Sequence, residues 1–378
     1  MADDGLDAVR ARLPGLALEA AVTLSEGERS IVRRVRATAQ DGRESWLVVK
    51  QYLASDEGWA RESAALASVP DAAGVSRLVA VIESPQLIVT EDLGDGPSVA
   101  DALLGEDRDA AADALAGWAE ALADLHVATR GSRERFRAAL GVRRGKDKLD
   151  ESWLPSRLRD AERVLDGHCG SLGVTVPTGA FEQLTGLAAR LGGDGAGAAL
   201  TPADACPDNN VRLGDRCFLI DFEGAQWRHI AWDVAYLQVP WPTCWCAWRL
   251  PDLVARRAVD AYRTGAAVGF PQVNGAAFER DVEAAVVGWS MMTAARYLTH
   301  ALSTELDSDP EFDHAHPAPT RRAIIVHRLD RAARSSELPT LAALAAALRE
   351  ELHRRWGEVP LEMAPAFRST GRSRTEDR

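Results

Sequence analysis

Apolar residues recur along this chain with two different periods, and the change of period divides it. Up to about residue 93 they fall in short runs rich in Val, Ile and Trp, with Ser30 to Thr38 and Glu44 to Tyr52 joined by Gln40-Asp41-Gly42. Runs of this kind around an Asp-Gly turn predict a β-hairpin. Leu87-Ile88-Val89-Thr90 reads as a further strand, and from Ser55 a helix is expected with Trp59, Ser63, Leu66 and Ala67 on one face. Asp95-Gly96-Pro97 then breaks the chain, and Ser98 is placed to cap a helix. Beyond it the spacing is helical. Leu115, Trp118, Leu122 and Leu125 recur three and four apart; Val282, Val286 and Trp289 mark a later helix, and Leu341, Leu344, Leu348, Leu352 and Trp356 another. These stripes are core faces. The pattern predicts an α/β chain with a β-rich lobe over residues 1–93, a helical lobe over 94–365 and a disordered polar tail over 366–378.

The chain has 378 residues, long enough for two lobes with cores of their own, and its 46% hydrophobic and 26% charged residues are ordinary for a soluble globular protein. No stretch approaches the roughly 20 apolar residues of a membrane span. The start, Met1-Ala2-Asp3-Asp4-Gly5, has no signal pattern, so the expectation is a cytoplasmic protein without a membrane partner. A formal net charge of −12 argues against nucleic acid and favours a cationic or neutral partner. The five cysteines are odd in number and widely spaced, so they read as reduced thiols. Cys244-Trp245-Cys246 has no second Cys or His pair at zinc-finger spacing and lies among Trp241, Trp245 and Trp248; it reads as a packing segment.

The candidate chemistry lies in Thr201-Pro202-Ala203-Asp204-Ala205-Cys206-Pro207-Asp208-Asn209-Asn210 and in Phe218-Leu219-Ile220-Asp221-Phe222-Glu223. Asp204 and Asn209 stand five positions apart, and Asp221 closes a short apolar strand. Three oxygen-bearing side chains can therefore meet at one site, and Mg²⁺ against phosphates prefers such oxygens. The plainer reading is an Asp-rich turn before a strand. Arg212 to Cys217 carries a hairpin-like turn, and Cys217 to Ile220 is an apolar run suited to lie beneath the site.

These residues resemble the aminoglycoside phosphotransferase family, whose loop is written His-Gly-Asp, with Asn five positions after the Asp and then Ile-Asp-Phe or Ile-Asp-Trp. The resemblance covers about residues 20–300 and implies a bilobal protein-kinase-like fold and ATP- and Mg²⁺-dependent transfer of a phosphoryl group to a hydroxyl. It implies that Asp204 is the base and that Asn209 and Asp221 are the Mg²⁺ ligands. Pro202 and Ala203 stand where the family has His and Gly, and in related kinases that His braces the loop. Lys50, ending Trp46-Leu47-Val48-Val49-Lys50, resembles the lysine that reaches the nucleotide phosphates, the alternative being an edge-strand lysine kept for solubility. Glu62 resembles its carboxylate partner, with Glu57 as a rival. Ser25, Gly27 and Ser30 stand at the expected phosphate-covering turn, and Glu91 and Leu93 at the hinge whose backbone meets adenine. His126 resembles a packed structural histidine supporting the catalytic loop. Asp233, in Asp233-Val234-Ala235-Tyr236-Leu237, resembles the Asp that ties its carboxylate to backbone amides of that loop.

The acceptor implied is a small hydroxylated molecule. Residues 303–316 carry five acids and no Lys or Arg, which suits an amine-bearing acceptor or, more plainly, a solvated loop. Two other readings stay open: a kinase acting on Ser or Thr of a peptide natural-product precursor, and a non-catalytic nucleotide-binding protein whose loop has lost His and Gly.

Overall fold

Five antiparallel strands form the N-terminal layer of the computed structural model, which describes residues 4–53, 57–70, 74–144, 150–241, 244–303 and 318–368. They are β1 (Leu16–Glu26), β2 (Ser30–Ala39), β3 (Glu44–Tyr52), β4 (Leu78–Ile82) and β5 (Leu87–Glu91), in spatial order β1-β2-β3-β5-β4. The Asp41-Gly42 turn joins β2 to β3, with Gly42 at φ +83°, where only glycine is unstrained. Because successive strand residues face opposite ways, Leu47, Val49, Val35 and Val89 pack with Leu6 and Val9 of helix α1 (Asp4–Arg12). Tyr52 and Ile88 face the other way and join the main core with Trp59, Ala60 and Ala64 of α2 (Glu57–Ser68). The chain's alternation thus turns Lys50 away from α1. Ser55 lies outside the described residues, and Ala67 is exposed: a methyl adds little to a periodic pattern, and Ala60 and Ala64 complete the buried stripe instead.

The C-terminal part is helical. Its helices are α3 (Val99–Leu104), α4 (Arg108–Thr129), α5 (Arg133–Arg144), α6 (Leu154–Leu172), α7 (Ala180–Arg190), α8 (Ala231–Val234), α9 (Asp252–Ala266), α10 (Ala276–Ser303), α11 (Arg321–Ala333) and α12 (Pro339–Trp356). Ser98 caps α3 in a capping box with Asp101. The predicted faces of α4, α10 and α12 are buried, except that Trp356 is half-buried beneath the guanidinium of Arg322. Two short ribbons lie between α7 and α8: β6 (Ala198–Thr201) pairs with β9 (Gln226–His229), and β7 (Asn210–Leu213) with β8 (Arg216–Leu219). Part of the expected tail is anchored rather than disordered. Ala366 and Phe367 are buried, and Arg108 stacks on Phe367, because an aromatic ring there gains more from burial than the polar residues around it lose. Among the described residues no helix is long and apolar enough to cross a membrane.

Candidate active site

Lys50 sits on the central strand of the sheet, paired to Val32 on β2 and Ile88 on β5, so it is no edge lysine. Its ammonium meets Glu62 Oε2 at 2.8 Å and Asp221 Oδ1 at 2.7 Å, with Glu223 Oε2 at 3.6 Å. Burial opposes that charge, but the carboxylates of Glu62, Asp221 and Glu223 more than offset it and hold Lys50 above the ordinary lysine range. Tyr52, two residues on and therefore on the same face, donates its hydroxyl to Glu62 Oε2. The rival Glu57 is half-exposed and pairs with Arg61 at 3.6 Å instead.

The loop after β6 presents Asp204. Ala203, just before it, has φ +62°, a left-handed conformation that favours glycine. This chain makes that left-handed turn with Ala. Asn209 Nδ2 donates to the Asp204 carbonyl at 2.8 Å, and the Asn209 carbonyl accepts from Ile220 N at 3.1 Å, so the loop is tied to the residue before Asp221. Buried Asn210 closes the loop further: its amide donates to the Pro207 carbonyl at 2.7 Å and its Oδ1 accepts from Val99 N at 2.9 Å. Asp221 itself has φ +61°. Cys206 Sγ donates to Asp204 Oδ1 at 3.1 Å.

The donor set fits a hard cation. Asn209 commits its amide nitrogen to the loop and Asp221 commits Oδ1 to Lys50, while among the described residues Asn209 Oδ1 and Asp221 Oδ2 have no hydrogen-bond donor. Two oxygens on residues linked through Ile220 are what Mg²⁺ binding requires of the protein, with phosphates and water completing the shell. Glu223 joins Glu62 and Asp221 as the third carboxylate around Lys50. Burial, then the Asp221 carboxylate, push it above the ordinary glutamate range.

The turn between β1 and β2 reaches this cluster through Arg29, whose guanidinium lies 2.9 Å from Glu223 Oε1. Ser25, Gly27 and Ser30 lie in or beside that turn. Gly27 N is engaged within it, donating to the Ser30 carbonyl at 3.0 Å. At the hinge the backbone of Glu91 is occupied, because its N–H donates to the Arg77 carbonyl at 2.9 Å and its carbonyl accepts the Ser76 hydroxyl. Leu93 is different: among the described residues its backbone N–H and carbonyl have no hydrogen-bond partner.

Beneath the loop, His126, Asp233, Arg228 and Thr201 form a fully buried chain. His126 Nε2 faces Asp233 Oδ2 at 3.2 Å and its Nδ1 faces the Tyr262 hydroxyl at 2.9 Å; Arg228 Nη2 meets Asp233 Oδ1 at 2.5 Å, and Arg228 Nε meets Thr201 Oγ1 at 2.9 Å. Burial opposes the charge of Asp233, but Arg228 and His126 more than offset it and hold Asp233 below the ordinary aspartate range. The expected bonds from Asp233 to backbone amides are replaced by these side-chain partners, since the charged guanidinium of Arg228 outcompetes neutral amides for the carboxylate. Arg228, Tyr52 and Arg29 were not legible from spacing. Glu223, two positions past Asp221, carried the one available signal.

Asp204 and Glu223 open onto a cavity of about 630 Å³ lined also by Arg61, Trp153, Arg157, Val164 and Met292. The acids beside Asp204 are already paired: Glu57 with Arg61, Asp160 with Arg163 and Glu223 with Arg29. Residues 304–317, which hold nearly all of the acidic segment, lie outside the described residues.

No family model matches the chain, and no curated protein matches it in sequence. Solved structures do. A choline/ethanolamine kinase family protein from Mesorhizobium loti is 18% identical, with a TM-score of 0.51 over 91% of this chain and 99% of that one. A macrolide 2'-phosphotransferase from Brachybacterium faecium is 20% identical over 80% and 94%, with a TM-score of 0.46. An aminoglycoside phosphotransferase is 13% identical over 92% and 99%, with a TM-score of 0.43. The antiparallel sheet, the helical C-terminal region and the first of these likenesses give the chain the protein-kinase-like fold.

Proposed function

We propose that this protein transfers the γ-phosphoryl group of ATP to a hydroxyl of a small molecule. The observation that carries this reading is the Lys50 ammonium between Glu62 and Asp221, beside a loop that ties Asn209 to Asp204 at the edge of a cavity. In this reading Asp204 orients the acceptor hydroxyl and takes its proton as the oxygen attacks the γ-phosphorus, and the bond to ADP breaks. Lys50, braced by Glu62, holds the α- and β-phosphates, and the turn with Ser25, Gly27 and Ser30 covers them. Asn209 and Asp221 hold Mg²⁺, which neutralises phosphate charge when bound. The Leu93 backbone meets the adenine edge, a role its neighbour Glu91 leaves to it.

A cavity of about 630 Å³ is in the range of small-ligand sites, which favours a small acceptor over a peptide. Arginines beside Glu57, Asp160 and Glu223 offset part of their negative charge and so weaken their pull on an amine, which ranks hydroxyl recognition ahead of amine recognition. The test is a nucleotide-consumption screen over amino alcohols, aminoglycosides, macrolides and other hydroxylated compounds, with Asp204→Asn as control. Turnover should fall by about 10² or more in that variant, with nucleotide affinity little changed. A wild type that binds MgATP and phosphorylates nothing would hand the assignment to the non-catalytic reading.

A further inference from the structure

Three of the five cysteines converge on the loop that carries Asp204. Cys206 Sγ, Cys244 Sγ and an Asp208 carboxylate oxygen all lie within 4.8 Å of one another. Cys244 Sγ is 3.7 Å from Asp208 Oδ1 and 2.9 Å from Cys246 Sγ. Trp245 Nε1 anchors the other oxygen of Asp208 at 2.8 Å. The three sulfurs are buried and Asp208 is exposed, so a cation has a polar way in. Zinc–sulfur bonds of about 2.3 Å at tetrahedral angles hold ligand atoms roughly 3.8 Å apart, so the cluster is within about an ångström of that spacing. The Cys-Trp-Cys segment by itself lacks enough ligands; the fold brings it a thiol and a carboxylate from the catalytic loop.

We propose that Cys206, Cys244 and Asp208 form a binding site for a thiophilic divalent cation, zinc being the metal their chemistry fits, with water completing the shell. Mixed sulfur and carboxylate ligation suits zinc, whereas the all-oxygen pair Asn209 and Asp221 suits Mg²⁺, so the two sites select different ions. Each thiol that ligates loses its proton to solvent, the metal keeps its oxidation state, and no electrons move. Metal on Cys206 also removes the S–H that donates to Asp204 Oδ1, which couples occupancy of this site to the proposed base.

The test is optical and needs no ATP, so it is independent of the phosphotransferase reading. Full-length protein stripped with chelator is titrated with Co²⁺. The proposal expects one equivalent bound, with thiolate-to-cobalt charge-transfer absorption, tetrahedral d–d bands, released protons and displacement by Zn²⁺. Cys206→Ser and Cys244→Ser should weaken Co²⁺ binding by more than the roughly 10- to 100-fold that loss of an outer-shell partner causes. Asp208→Asn, an exposed change that leaves the buried packing alone, should also weaken it while far-UV circular dichroism stays unchanged, and Cys169→Ser should not. Absence of stoichiometric Co²⁺ or Zn²⁺ binding in the wild type overturns the proposal, as does undiminished binding in Cys206→Ser and Asp208→Asn together.

Discussion

The Tyr236 hydroxyl donates a 2.8 Å hydrogen bond to the carbonyl of Ala203, the residue immediately before Asp204. Ala203 has φ +62°, a conformation that costs a non-glycine residue about 1–2 kcal/mol. A fully buried ring from the segment after α8 thus holds a strained backbone that aims the candidate base. Tyr236→Phe should destabilise the protein by about 1–3 kcal/mol, since the carbonyl loses its partner. In acceptor assays it should lower kcat while the KM for ATP stays put. Ala203→Gly should raise stability by about 1 kcal/mol in denaturant titrations. A loss of stability in that variant would contradict the strain argument.

Lys50 and Asp221 form a contact that nucleotide should rearrange. MgATP should stabilise the wild type by about 2.7 kcal/mol at a hundredfold excess over its dissociation constant. Asp221→Ala should remove the Mg²⁺-dependent part of the thermal shift. An identical shift with and without Mg²⁺ in the wild type counts against Asp221 as a metal ligand.

Asp233 and Arg228 are both fully buried, 2.5 Å apart. Removing one charge strands the other, so Asp233→Ala should destabilise by about 3–5 kcal/mol. The double change Asp233→Leu with Arg228→Met should recover part of that loss in urea titrations, because no unpaired charge then stays inside. A double variant no more stable than Asp233→Ala would mean that packing, not charge, dominates there.

His327 is held at about 2, first by burial and then by Arg328, Arg331, Arg249 and Arg334. The unfolded chain titrates this group near 6.5, so it takes up the proton first as pH falls. Stability is therefore fully present above about 6.5 and is lost on acidification towards 2, at no more than about 1.4 kcal/mol per pH unit for one histidine. Burial also lowers His168 and His229, which act with the same sign. Unfolding midpoints measured at pH 7.5 and 5.5 should fall with acidity, and His327→Gln should flatten the slope. Equal slopes in the two proteins would remove His327 from the account.

Much of this architecture is local and so is legible in the residue order. The Asp41-Gly42 hairpin, the Ser98 cap and the stripes of α4, α10 and α12 each depend on residues a few positions apart, whose period sets which face is buried. The Asp204, Asn209 and Asp221 spacing was visible for the same reason. Tertiary structure alone decided what meets across the fold: Lys50 on a central strand rather than an edge, Glu62 rather than Glu57 as its partner, and Arg228 and His126 on Asp233 in place of backbone amides. It also set Cys206 against Cys244, a pairing that no spacing rule reaches. The physical reason is that charge pairing and metal ligation act through space at a few ångströms, while the sequence records only distance along the chain.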